Sequence, residues 1–173
     1  MSQRESGYFR IEKDDYATPE WVTRVLVPHI PRKKTCLICE PALGAGKLAD
    51  ELARCGYIIE SNTDPNYDFL KDCYWHDAIV TNPPYSIADE FITHSLLMTK
   101  ALKGFVAMLL RTDFDHANSR RKLFADHPHF MKKIVLTRRI RWFEHSTGSP
   151  SFNHAWFIWD WTFKGEPTLA YGP

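Results

Sequence analysis

Four short apolar runs alternate with segments of helical period, and this alternation constrains the chain more than any other feature in it. The runs are Lys33 to Glu40, Tyr57 to Asn62, Asp77 to Thr81 and Gly104 to Leu110. Apolar runs of this length, bounded by turn residues, read as strands buried on both faces. Helical spacing recurs at Trp21, Val22, Val25 and Leu26, at Leu48, Leu52 and Cys55, and at Ile87, Ala88, Phe91, Ile92, Ser95 and Leu96. Strand and helix in alternation call for a mostly parallel sheet covered by helices on both faces, and such sheets bind ligands at the carboxyl ends of their strands. Glu40, Asp64, Asp68 and Asn82 fall at or just past such ends.

The boundaries carry their own signals. Thr18 suits a helix N-cap and Pro19 the first helical position; Gly56 stops the second helix. Ser86 to Asp89 reads as a capped start for the third helix. Near the end, Lys133 to Thr137 and Ala155 to Phe163 read as two antiparallel strands, because the loop from Arg138 to Asn153 has no room for a helix. The aromatics from Trp156 to Trp161 read as sheet packing. Residues 1–15 read as a loose arm, 16–165 as a single domain and 166–173 as a C-terminal tail, and 173 residues leave no room for a separate target-recognition domain.

Composition narrows the function classes. A net charge of +1 argues against a purely electrostatic binder of nucleic acid, and no apolar run reaches the length of a membrane span. The start of the chain has no signal-peptide core, so a cytoplasmic protein with no membrane partner is expected. Cys36-Leu37-Ile38-Cys39 has the spacing of a metal or redox pair, but residues three apart on a strand face opposite ways. Free thiols and no metal are expected.

Asn82-Pro83-Pro84-Tyr85 is the most specific stretch for chemistry. It combines an amide, two prolines without N–H groups and a flat ring, which are the parts needed to hold a planar group bearing an NH2. Taken alone it is also an ordinary turn. The turn Gly44-Ala45-Gly46-Lys47-Leu48-Ala49 fits the loose dinucleotide pattern G-x-G-x-x-A. Glu40, immediately before that turn, would repel a pyrophosphate and attract a cationic head. A phosphate loop is excluded by Pro41 and by Leu48 after Lys47. A ligand with a cationic amino-acid head, a ribose and an adenine would use all the acids at once, and S-adenosylmethionine is that molecule.

The ordered set Tyr16-Ala17-Thr18-Pro19, Glu40-Pro41-Ala42-Leu43-Gly44-Ala45-Gly46, Asp64, Asp68-Phe69-Leu70 and Asn82-Pro83-Pro84-Tyr85 resembles the DNA adenine-N6 methyltransferases. Within that family it is most similar to the small phage-type enzymes, over residues 14–163. The resemblance implies a Rossmann-like class I methyltransferase fold, α/β, with a seven-stranded mostly parallel sheet whose last two strands are the antiparallel pair. It implies that the backbone of Tyr16, Ala17, Thr18 and Pro19, with Glu40, Pro41, Ala42, Gly44 and Gly46, holds the methionine part of the cofactor. Asp64 would hold the ribose hydroxyls, and Asp68 with Phe69 the cofactor adenine.

Asn82 and Pro83 would accept the hydrogens of the target amine, with Pro84 and Tyr85 completing the catalytic clamp and Tyr85 stacking on a flipped-out base. DNA is the expected partner, with RNA adenine or a protein glutamine as the alternative acceptor and a non-catalytic binding subunit as the alternative of another class. Candidate DNA contacts are Arg111, Arg120, Arg121 and Lys122, and Arg138, Arg139, Arg141 and Trp142, where basic residues interleave with aromatics. So small a recognition surface implies a short target, a single-stranded substrate or a homodimer. Phe152-Asn153-His154 reads equally as a target-pocket wall and as a turn leading into a strand.

Overall fold

The computed structural model describes residues 17–31, 35–64, 66–142 and 152–173. Helix α1 (Glu20–Leu26) precedes β1 (Leu37–Cys39), α2 (Lys47–Arg54) and β2 (Ile58–Glu60). Then come β3 (Ala78–Thr81), α3 (Ala88–Lys100), β4 (Phe105–Arg111), β5 (Phe130–Leu136), β6 (His154–Asp160) and β7 (Thr168–Gly172). The seven strands form one sheet in the order β2-β1-β3-β4-β6-β5-β7.

Alternation along β4 explains why both faces are covered. Phe105, Ala107 and Leu109 enter one core with Ile38, Val80, Trp156 and Ile158, under Val22 and Leu26 of α1 and Leu48 and Leu52 of α2. Val106, Met108 and Leu110 enter the other core with Ile79, Phe157 and Trp159, under Phe91, Ile92 and Leu96 of α3. A strand buried on both faces needs no polar alternation, which is why these runs are apolar throughout. Trp156 is fully buried and its indole N–H donates to the Val22 carbonyl at 2.9 Å, fastening α1 to β6. The aromatics of β6 are core, as their sequence implies. Among the described residues no helix is long and apolar enough to cross a membrane.

Four expectations change. The antiparallel pair β5/β6 forms, but β6 also pairs antiparallel with β4, so a single strand is reversed within an otherwise parallel sheet. The last strand is not part of that pair: β7 lies in the stretch read as a tail and adds parallel to β5 at the sheet's edge. Helix α1 is capped by Pro19 (φ −64°, ψ 146°), and Thr18 is buried. Instead of a capped start at Ser86, a 3-10 turn (Tyr85–Ile87) leads into α3, whose N-cap is Ile87.

Candidate active site

Because β1 and β3 are neighbours, the residues that follow them meet at one edge of the sheet. Glu40 directly follows β1 and is 1% exposed. Its Oε1 accepts from Thr81 Oγ1 at 2.6 Å and from the Ala42 backbone N–H at 3.2 Å. Its Oε2 is buried, and none of the described residues donates to it. Burial pushes this carboxyl up to about 8, against the pull of the Thr81 and Ala42 hydrogen bonds. A buried acid with an unmet oxygen is costly in isolation and becomes favourable beside a cation. Thr81 ties it to the other half of the site, since the next residue is Asn82.

The turn after Glu40 is built on left-handed backbone at Gly44 (φ 49°) and Gly46 (φ 74°). The Gly46 N–H donates to Leu43 O at 2.8 Å, and Gly46 O accepts from Asp50 N at 2.9 Å as α2 begins. Residues 44 and 45 are exposed, Pro41 and Ala42 half-buried. The turn therefore leaves open backbone close to the buried acid.

In the Asn82 to Tyr85 motif, Pro83 is buried and the other three residues are half-buried. The Pro84 carbonyl accepts from Ile87 N at 3.2 Å, which fixes the exit from the clamp. Tyr85 stacks on His154 with ring centroids 5.8 Å apart and planes 29° apart. His154 begins β6 opposite Arg111, the last residue of β4, because the reversed strand brings its N-terminus to this same edge. Trp142 meets the His154 ring edge-on at 5.3 Å. Burial, then the Arg111 charge, lowers His154 to about 4, so the ring is neutral at physiological pH. His154 is thus the first residue of β6, as the strand-entry reading of Phe152-Asn153-His154 has it, and its ring packs against Tyr85.

Beside Tyr85 lies a cavity of about 270 Å³ lined by Tyr85, Arg111, Asp113, Phe114 and Arg120. That is just below the usual range for small-molecule pockets. Its arginines are engaged. Arg111 forms a two-pronged pair with Asp113 (3.1 and 2.8 Å) and lies over Phe152 at 4.1 Å. Arg120 pairs with Asp89 (2.7 and 3.1 Å) and lies over Phe114 at 3.8 Å. Asp113 and Asp89 hold the cavity's two arginines, pairings that the sequence reading did not foresee, and Thr81 lies behind Glu40.

The other expected residues are more dispersed. Asp64 is exposed, and its Oδ1 accepts from the Asn66 N–H at 2.9 Å. Asp68 caps a 3-10 turn through Leu70 N at 3.2 Å and pairs with Lys71 at 2.9 Å. Phe69 is only 3% exposed and packs on Phe91 and His94, with centroids 5.1 and 4.8 Å away. Arg121 pairs with Asp126 at 2.8 Å, and Lys122 is exposed. Arg138 lies over Trp21 at 4.2 Å, Arg139 donates to Asn153 at 2.9 Å, and Arg141 is exposed. Ala17 and Pro19 are half-buried at the start of α1; Tyr16 lies outside the described residues.

No protein-family model matches the sequence, and no curated protein is recognisably similar to it. Solved structures are similar in fold. A Listeria monocytogenes protein assigned as a class I S-adenosylmethionine-dependent methyltransferase superposes with a TM-score of 0.64 at 14% identity, covering 96% of this chain and 67% of that one. The 23S rRNA methyltransferase ErmE gives 0.52 at 18% identity, covering 87% and 70%. A protein from Vibrio vulnificus YJ016, assigned as the modification subunit of a type I restriction enzyme, gives 0.56 at 14% identity; 90% of this chain spans 46% of that subunit. The chain thus has the Rossmann-like fold of class I methyltransferases, with its Glu40 turn and its Asn-Pro-Pro-Tyr motif at one edge of the sheet.

Proposed function

We propose that this chain methylates the exocyclic N6 amine of adenine in DNA, using S-adenosylmethionine. The observation that carries the reading is the Thr81–Glu40 hydrogen bond of 2.6 Å, which couples a buried acid beside a glycine turn to the start of the Asn82-Pro83-Pro84-Tyr85 motif. The fit to the cofactor rests on Glu40: its Oε2 lies beside open backbone and has no donor among the described residues. The Gly44 to Gly46 turn, Glu40 and the backbone of residues 16–19 would hold the amino-acid part. Asp64 would hold the ribose, and Asp68 with Phe69 the adenine. When bound, S-adenosylmethionine supplies an electrophilic methyl group.

The protein's part is to make a poor nucleophile usable. The lone pair of an exocyclic amine is delocalised into the base. Acceptance of its two hydrogens by the Asn82 side-chain oxygen and the Pro83 carbonyl favours a pyramidal nitrogen with the lone pair directed out of the ring. Proline at 83 and 84 removes competing backbone donors from this acceptor site. Tyr85 supplies the stacking face for a base taken out of the duplex, an extrusion that costs a few kcal/mol.

The basic residues at 111, 120 to 122 and 138 to 141 are the proposed DNA contacts, and phosphates would compete with Asp113, Asp89 and Asp126 for three of them. The likeness to an assigned restriction-modification subunit favours DNA, and the likeness to an rRNA methyltransferase makes RNA the second polymer to assay. In this reading the methyltransferase domain runs past residue 165 to take in β7, which completes the sheet.

Asn82→Ala is the test. Methyl transfer should fall by at least about 100-fold, the loss typical when one preorganised polar contact to the reacting group is removed. Cofactor affinity measured by calorimetry should change by less than about threefold. Transfer that survives the substitution would refute the clamp.

A further inference from the structure

A second cluster lies on the α3-side face of the sheet, built from three separate parts of the chain. Cys39 and Glu60, the last residues of β1 and β2, are register partners and so project from the same face. His76, just before β3, joins them; its backbone N–H is held by Met98 O at 3.2 Å. One thiol sulfur, one carboxylate oxygen and one imidazole nitrogen from these residues lie within 4.8 Å of one another. Cys39 is 4% and His76 7% exposed, while Glu60 keeps one side toward solvent.

The surroundings orient the imidazole. His76 Nε2 lies 3.2 Å from Asp72 Oδ2, which also accepts from Tyr67 Oη at 2.8 Å; Asp72 Oδ1 accepts from the Tyr74 N–H at 2.9 Å. An ionised carboxylate only accepts, so Nε2 carries the proton shared with Asp72. Nδ1 faces Glu60 Oε2, 3.4 Å away, beside the Cys39 thiol. The three atoms lie close enough to share one cation, and a carboxylate behind a ligating histidine is the usual means of setting its tautomer.

We propose that Cys39 Sγ, Glu60 and His76 Nδ1 bind a divalent transition-metal ion of the zinc class, with Asp72 orienting His76. One sulfur, one nitrogen and one carboxylate suit zinc, with water completing a tetrahedron. Binding would deprotonate the Cys39 thiol, which burial otherwise holds well above its ordinary range. The ion would pin residues 66–77, which include no strand, onto the carboxyl ends of β1 and β2. Only one cysteine of the Cys36-x-x-Cys39 pair takes part: Cys36 packs against the opposite core. The sequence argument against a paired-cysteine site therefore does not bear on this one.

The test uses full-length, tag-free protein and Zn2+ in competition with a chromophoric chelator, followed by Co2+ as a spectroscopic probe. The expected result is one Zn2+ per chain and, with Co2+, a thiolate charge-transfer band together with intense tetrahedral ligand-field bands. Cys39→Ser should abolish the charge-transfer band, and Glu60→Gln, whose side chain is half exposed, should weaken Zn2+ at least about tenfold. Cys36→Ser should change neither. Absence of stoichiometric uptake by the wild-type protein would overturn the site, leaving a proton as the bridge between His76 and Glu60. Uptake indifferent to Cys39→Ser and Glu60→Gln, or abolished by Cys36→Ser, would overturn it equally.

Discussion

Replacing Glu40 with glutamine isolates the energetics of the buried acid. The unfolded chain titrates this group at its ordinary value of 4.5, whereas burial raises it to about 8 in the folded state. Between those values the folded protein holds a proton that the unfolded chain releases, so stability falls as pH rises. The contribution is fully present below the unfolded value and is lost as pH climbs through the folded one. From about pH 5.5 to about pH 8 the loss integrates to about 3 kcal/mol. The amide introduced by Glu40→Gln has nearly the same shape, can still accept from Thr81 and Ala42, and has no proton to lose.

His29, His127 and His154 are each held below the ordinary histidine value, chiefly by burial, and impose the opposite trend at lower pH. They are common to both proteins and cancel in the difference. Urea unfolding of wild type and Glu40→Gln, without cofactor and across this pH range, should give curves that diverge by about 3 kcal/mol, with the variant relatively more stable at high pH. Parallel profiles would refute a neutral, buried Glu40 and remove the physical basis for a cation-seeking site.

Two further substitutions probe the ribose assignment and the fold. Asp64→Ala, at an exposed position, should weaken S-adenosylmethionine at least about tenfold in calorimetry, the order expected for losing a charge-assisted hydrogen bond, with little change in urea midpoint. Unchanged affinity would exclude Asp64 from the ribose. Gly104→Ala would drive a methyl group into the Asp77 carbonyl oxygen, where β4 begins beside β3. Backbone cannot yield there cheaply, so a loss of about 2 kcal/mol or more is expected in urea unfolding.

Much of the fold was legible because buried strands and helix stripes leave strong local periods. β4 and α3 announce themselves within seven and thirteen residues. β7 left no such mark: Thr168 to Gly172 is exposed on most of its length, so no apolar face identifies it, and it forms because β5 offers an unpaired edge. Thr18 and Ser86 were reasonable caps by residue type. Yet Thr18 is drawn into the core, and the prolines before Tyr85 lead through a 3-10 turn before α3 starts.

In the site, Glu40 and Asn82 were readable from their places after apolar runs. Their connection through Thr81 was not, because it spans 41 residues and depends on β1 lying beside β3. The pairing of Arg120 with Asp89 spans 31 residues and was equally hidden, so residues read as a free basic patch emerge with carboxylate partners. Composition counts charges but cannot assign their neighbours.

The central claim concerns which atom receives the methyl group. Purified protein incubated with isotopically labelled S-adenosylmethionine and separate unmethylated DNA, RNA and protein acceptors, followed by digestion to nucleosides and amino acids and mass spectrometry, reads that atom directly. The expected result is label in N6-methyladenine from DNA, absent with Asn82→Ala. Label confined to RNA or to protein glutamine, or no transfer to any acceptor from a preparation that binds the cofactor, would contradict it.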